Sequence, residues 1–349
     1  MVRESVFEEE TVTGIIDVAL RAGVAKSTAS RALSGNGYVS AETRERVERA
    51  ARELAYSAHS SASSLATGRT STVGVIMPMA ERWYFAELLS GLQQALIEDG
   101  LDLTLYGAAE GSAERARMLD HALAGRRFDG IIAVCLQPGA HELERLAETG
   151  LPLVSVGPFS ERADTVTIDD VAAARVATEH LIDLGHEDIA FLGDEPDADQ
   201  FSFGERKRLD GYCQAMIAAG LEHRIRAVPT RSTIPEAFAT SAALLADRRH
   251  RPTAIAAVCD EAAIGAVIAA QRLGIGVPSE LSVTGIDDHR YAEMFSLTTI
   301  RQSPKGQGAE AVRLLRARMQ DPEAPLEHVI SPVSLVARAS TATPRVDAR

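Results

Sequence analysis

Gly23 divides two short segments that each carry one apolar stripe, an arrangement that restricts the start of this chain to a pair of packed helices. Before it, Ile15, Val18, Ala19 and Ala22 fall at i, i+3, i+4 and i+7, the spacing of an amphipathic helix. Glycine takes the backbone of a tight turn at little steric cost, so the chain is expected to reverse there. A second helix is expected from about Lys26 to Leu33, with Ala29, Ala32 and Leu33 turned back onto the first. Alanine at these places lets the two backbones approach closely. Lys26, Ser27, Ser30 and Arg31 then share the opposite face. Arginine can pair bidentately with guanine, lysine offers donors to bases or phosphates, and serine hydroxyls bond phosphates or base edges. That face has the chemistry of a major-groove reader; an ordinary helical hairpin with a solvated polar face has the same spacing.

The run DVALRAGVAKSTASRALSG followed by YVSAETRERVERAARELAY resembles the DNA-binding headpiece of the lactose-repressor (LacI/GalR) family. The resemblance implies a third helix capped by Ser40, with Val47, Ala50, Ala51 and Leu54 as its buried face. It also implies that Lys26, Ser27, Thr28, Ser30, Arg31 and Tyr38 contact double-stranded operator DNA. Two departures stand out: Gly14 and Ala25 occupy positions where the family usually places Thr and Ser caps. Losing a hydroxyl cap costs roughly 1 kcal/mol for alanine and only tenths for glycine.

The net charge of −13 suits a DNA binder poorly until it is divided along the chain. Residues 11–70 hold eight Lys or Arg against five Asp or Glu, whereas the first ten residues hold one Arg against four Glu. A mildly basic module on an acidic body directs the module alone to phosphate. Residues 1–12 are expected to be a disordered extension, and their lack of an apolar core argues against a signal peptide. The expected divisions are then a DNA-binding domain at 13–56, a linker or hinge helix at 57–70, a core at 71–343 and a tail at 344–349. In SAHSSASSLATGRT (57–70), five serines read as a flexible tether. The family resemblance instead implies a hinge helix that orders on DNA, with Leu65 as a minor-groove wedge and Ala62 one turn before it.

From Val73 onward, VGVIM, DLTLY, GIIAV and PLVSV alternate with helical stretches, and the pattern restarts at DIAFLG, AIAAV and LSVTGID. Such alternation means parallel sheets flanked by helices, here in two lobes of about 120 residues with a cleft between them. The fold class expected is therefore α plus α/β: a helix-turn-helix headpiece, a hinge, and a two-lobed α/β core. The segments ATEHLIDLGHEDIAFLG and GIGVPSELSVTGIDD extend the family resemblance to about residues 13–341, which implies a core similar to periplasmic sugar-binding proteins.

Ligands in open α/β sheets sit beyond the carboxyl ends of strands, where LSVTGID ends in Asp287. Asp287 there can cap the following helix; the family resemblance implies instead that it accepts hydrogen bonds from ligand hydroxyls. The resemblance implies that Arg208 reaches into the cleft and that Phe85 forms part of its wall, with Trp83 an unusual addition. Tyr84 reads as a staple between helix and core. Cys259 and Asp260 stand where relatives frequently carry Asn-Asp, and Asp169-Asp170 where they carry Asp-Asn. The expected effector-binding set is Trp83, Phe85, Arg208, Cys259, Asp260 and Asp287.

No P-loop, GxGxxG, GxSxG, HExxH or paired-cysteine box occurs, so no enzyme activity, cofactor or metal is expected. The three cysteines lack CxxC spacing and fit a reducing cytoplasm. No run of 18 or more apolar residues points to a membrane. The expected protein is a cytoplasmic, homodimeric transcriptional regulator, a repressor controlled by a sugar or sugar derivative. The alternatives are control by a corepressor or a partner protein, or a soluble ligand receptor.

Overall fold

The computed structural model describes residues 14–34, 37–54, 56, 69–78, 80–107, 113, 117, 127–135, 145–146, 148–157, 160–193 and 203–345. It divides into two compact units, Met1–Thr70 and Ser71–Arg349.

The first unit has three helices, α1 (Ile15–Ala22), α2 (Lys26–Ser34) and α3 (Ala41–Glu53). Its small core is Val18, Ala19, Ala22, Ala29, Ala32, Val47, Ala50 and Ala51, with Ile15, Leu33 and Leu54 half-buried around it. Six of these eight side chains are alanines, so close backbone approach supplies the packing that larger side chains would give elsewhere. Gly23 stands at φ 66°, as the turn requires. The two missing hydroxyl caps are handled differently. The Gly14 N–H is taken by the Asp17 carboxylate at 2.8 Å, whereas at Ala25 only the backbone carbonyl is engaged, by the N–H groups of Thr28 and Ala29. Ser40 caps α3, its Oγ accepting from the Thr43 N–H at 3.3 Å. An exposed ion pair, Arg21 to Glu53 at 2.7 Å, joins α1 to α3, and Arg46 Nε donates to the Ala22 carbonyl at 2.9 Å. Ser40→Ala is expected to lower the stability of this unit by about 1 kcal/mol, seen as a lower midpoint in its thermal unfolding by circular dichroism.

The second unit holds two six-stranded sheets. Lobe 1 contains β1 (Thr72–Met77), β2 (Asp102–Gly107), β3 (Gly130–Val134), β4 (Leu153–Val156), β5 (Asp164–Thr167) and β11 (His328–Ile330), in the order β11-β5-β4-β3-β1-β2. Lobe 2 contains β6 (Ile189–Gly193), β7 (Arg226–Pro229), β8 (Ala254–Ala257), β9 (Ser282–Asp287), β10 (Thr298–Arg301) and β12 (Ser334–Val336), in the order β12-β10-β9-β8-β6-β7. All described pairings are parallel except β10 with β12. Strands β3, β6, β8 and β9 are buried at every position, as strands covered by helices on both faces should be.

The helices of this unit are α4 (Trp83–Glu98), α5 (Asp170–Asp183), α6 (Phe203–Ala218), α7 (Ile234–Ala246), α8 (Asp260–Arg272) and α9 (Pro304–Gln320). The lobes are not the two successive blocks that the strand pattern suggests. Helix α5 leaves β5 of lobe 1 but packs on β9 and β10 of lobe 2, while α9 leaves β10 of lobe 2 but packs on α4, β4 and β5 of lobe 1. The chain therefore passes between lobes three times: at 167–170, at 301–304, and between β11 and β12 at 330–334. Among the described residues, no helix is long and apolar enough to cross a membrane.

Candidate functional site

In the first unit the polar face of α2 is open. Lys26, Ser27, Ser30 and Arg31 are exposed, Thr28 is half-buried, and Tyr38 is 91% exposed. Such an aromatic left in solvent has no packing role in this unit. Arg31 Nε donates to the Ser27 carbonyl at 3.1 Å, which orients the guanidinium along the helix surface. Ala62 and Leu65, expected to enter the minor groove, lie outside the described residues.

In the second unit a cleft opens at the carboxyl ends of the strands. Its wall includes Arg82, Tyr84, Phe85, Asp170, Glu205, Arg208, Asp287, Gln302 and Gln307. Asp287 ends β9 at φ 135°, in the half of backbone space that residues other than glycine seldom occupy. Strain of this kind persists where surrounding structure over-determines it, often at ligand sites. Asp287 Oδ1 accepts from Gln302 Nε2 at 2.6 Å, Gln302 Oε1 from Gln307 Nε2 at 2.8 Å, and Gln307 Oε1 from the Tyr84 hydroxyl at 2.9 Å. A single chain of hydrogen bonds thus links the lobe 2 carboxylate to the lobe 1 aromatic. Tyr84 is therefore more than a staple.

Arg208 Nε donates to Asp170 Oδ1 and its Nη1 to the Val258 carbonyl, both at 2.8 Å. Gly211 makes this pairing possible: a Cβ there would collide with the Val171 carbonyl, so only glycine lets α6 lie close against α5. Burial opposes the Arg208 charge, but the carboxylates of Asp170 and Asp287 hold its pKa above the ordinary arginine value. Burial pushes the Asp170 carboxyl up, and Arg208 pulls it back. The Asp287 carboxyl is likewise raised by burial and lowered in part by Arg208 and the Gln302 amide.

Of the six expected effector residues, Phe85, Arg208 and Asp287 come together on this wall. The other three do not line it, each for a distinct reason. Trp83 turns away to stack on His289, with ring centroids 4.9 Å apart. Asp260 is fully buried and committed to structure: Oδ1 takes the Thr299 hydroxyl at 2.5 Å and Oδ2 the His289 N–H at 2.7 Å. Cys259 is buried just before α8, its thiol pKa pushed up to about 12 by burial. Asp169 caps α5 through the Ala172 N–H, leaving Asp170 as the wall residue of that pair. Arg82, Tyr84, Asp170, Glu205, Gln302 and Gln307 also line the wall and were not in the expected effector set. Gln302 carried a usable signal, since it directly follows TTIR, itself a short strand; Arg82 carried only its place ahead of three aromatics.

Residues 14–59 match the model of bacterial regulatory proteins of the lacI family. Residues 178–341 match the periplasmic binding protein-like domain. The chain is similar to the HTH-type transcriptional repressor PurR of Pasteurella multocida (strain Pm70): 32% identical over 312 residues, covering 88% of this chain and 92% of that protein. Among solved structures, a complex of the transcriptional regulator CelR with cellobiose superposes at a TM-score of 0.68 and 28% identity, covering 94% of this chain and 99% of the other. A lac repressor dimer bound to operator and the anti-inducer ONPF superposes at a TM-score of 0.83, covering 95% and 99%; its 24% identity makes this a likeness of fold.

Proposed function

The chain belongs to the lacI family of bacterial regulatory proteins, which are DNA-binding transcriptional regulators, and from that premise we propose that it is a cytoplasmic repressor released or recruited by a sugar-like effector in the core cleft. The observation that carries this reading is the meeting of Asp287, Arg208 and Phe85 at the carboxyl ends of the strands. A carboxylate and a guanidinium fix the hydroxyls of a polyhydroxylated ring, and an aromatic face packs on its C–H surface. CelR with its cellobiose supports the same ligand class by similarity. A ligand shifts operator affinity only by binding the DNA-competent and incompetent states unequally, on a usual scale of about 1–3 kcal/mol. The test is a thermal-shift and calorimetric panel of sugars, followed by operator gel shifts with any ligand that binds. Absence of binding across the panel sinks the reading.

On the DNA side, Lys26, Ser27, Thr28, Ser30, Arg31 and Tyr38 form the operator face of a homodimer whose two headpieces read a pseudo-palindrome. Residues 13–56 form the reading head, 57–70 the connection carrying Ala62 and Leu65, and 71–343 the core. Arg31→Ala is expected to cost about 1–3 kcal/mol of specific affinity and to relax preference at one base pair. Titrations of specific and random duplexes at one fixed salt concentration check this. Equal losses on both would make Arg31 a phosphate contact.

A further inference from the structure

The two guanidiniums of the cleft are already matched to carboxylates, and this decides what charge a ligand can bring. Arg82, just ahead of α4 on lobe 1, finds its described ionic partners on lobe 2. Its Nε donates to Glu261 Oε2 at 3.2 Å, and its Nη1 stands 3.6 Å from Glu205 Oε1. Its Nη2 lies 3.6 Å from the Cys259 sulfur. Glu205 also accepts the Ser232 hydroxyl at 2.6 Å. These groups are largely buried, with side-chain exposures of 19% for Arg82, 10% for Glu205 and 16% for Glu261. Arg208 is held by Asp170 at 2.8 Å. The wall therefore sets Asp170, Glu205 and Asp287 against Arg82 and Arg208, with Glu261 as a further acid on Arg82.

Asp287 is the carboxylate of this set without an ion pair. Among the described residues its side chain accepts one hydrogen bond, from the neutral amide of Gln302, and it is 4% exposed while lining the cavity. A phosphate or carboxylate entering this space would have to break an existing ion pair or stand beside Asp287. Like charges brought together in a desolvated site cost several kcal/mol. A hydroxyl instead donates to Asp287 and leaves both ion pairs intact.

We infer that the cleft takes a hydroxyl-rich ligand carrying no negative charge, and that Glu205 and Glu261 enforce this by keeping Arg82 matched. The inference rests on the sugar reading of the cleft and narrows it. The test is calorimetry on the full chain with neutral mono- and disaccharides, including ribose, glucose and cellobiose, beside ribose 5-phosphate, glucose 6-phosphate and glucuronate. The expected result is that a neutral sugar binds and its anionic counterpart binds at least roughly 100-fold more weakly. In a Glu205→Gln/Glu261→Gln variant, the amide oxygens can still accept from Ser232 and Arg82 but no longer cancel the Arg82 charge. The gap should narrow roughly tenfold there, and adding Arg82→Gln should reopen it. An anionic ester that binds the parent chain as tightly as its neutral sugar overturns the inference and leaves the sugar reading standing. A gap unmoved in the double variant, with its unfolding midpoint retained, overturns the role of the two glutamates. Silence from every sugar, charged or not, overturns the sugar reading and this inference together.

Discussion

Asp287→Ala is expected to abolish the response to effector while operator binding without ligand persists. The carboxylate is the acceptor that a ligand hydroxyl would meet, and among the described residues it is the wall carboxylate held by a neutral amide rather than by a guanidinium. A hydroxyl left unpaired in a buried site costs about 1–3 kcal/mol, or about 5- to 150-fold in affinity for each bond lost. The substitution also releases the Gln302 amide, and with it the chain through Gln307 to Tyr84. The loss should therefore exceed that of one isolated hydrogen bond. Folding should tolerate the change, because burial already disfavours the charged carboxyl at this place. Calorimetry against a sugar that binds the parent chain checks it. Undiminished affinity with the fold intact removes Asp287 from the site.

Arg208→Met is expected to be the more damaging change to folding, at about 3–5 kcal/mol, because it strands the Asp170 carboxylate without its cation. Both side chains of the pair are only 13% exposed, so solvent can do little to compensate. Adding Asp170→Leu should recover most of the loss, since replacing both partners of a buried pair by apolar groups is often neutral. Denaturant midpoints of the two variants make the comparison. The single variant also carries a pH signature. Burial raises the folded-state pKa of Asp170 above its unfolded value, and removing Arg208 raises it further. The folded state then binds the proton more tightly than the unfolded state, so stability falls as pH rises and recovers as pH drops towards the carboxylate range. A deficit that does not change with pH would place its origin in lost packing.

The headpiece was legible almost residue by residue because its helices are short and local, and their apolar stripes meet each other across one turn. Val18, Ala22, Ala29, Val47 and Ala50 are all buried where the spacing puts them. The five-residue strands β3 and β6 were legible for a related reason: GIIAV and IAFLG are unbroken apolar runs. The strands β5, β7, β10, β11 and β12 were not, since each has three or four residues and several alternate or are polar. Missing β10 hid the passage at 301–304, and with it the reason that Gln302 belongs to the cleft. Asp287, Arg208 and Phe85 were found from strand ends and resemblance. Trp83 and Asp260 misled because an aromatic beside a strand end and an acid after one satisfy the same rule, whichever way the side chain then turns. That direction depends on partners distant in sequence, His289 for the indole and Thr299 for the carboxylate.

The three passages between lobes have a mechanical meaning. Relative rotation of two rigid sheets has to be absorbed by backbone torsions in the strands that join them, which here are 167–170, 301–304 and 330–334. Two of these pivots furnish cleft wall: Thr167, Ile168 and Asp170 from the first, and Gln302 from the second. A molecule seated in the cleft therefore bears directly on the joints about which the lobes turn. Occupancy and inter-lobe angle become one coordinate, and a ligand that fits a single angle locks it by touching the axle rather than by pulling on the arms.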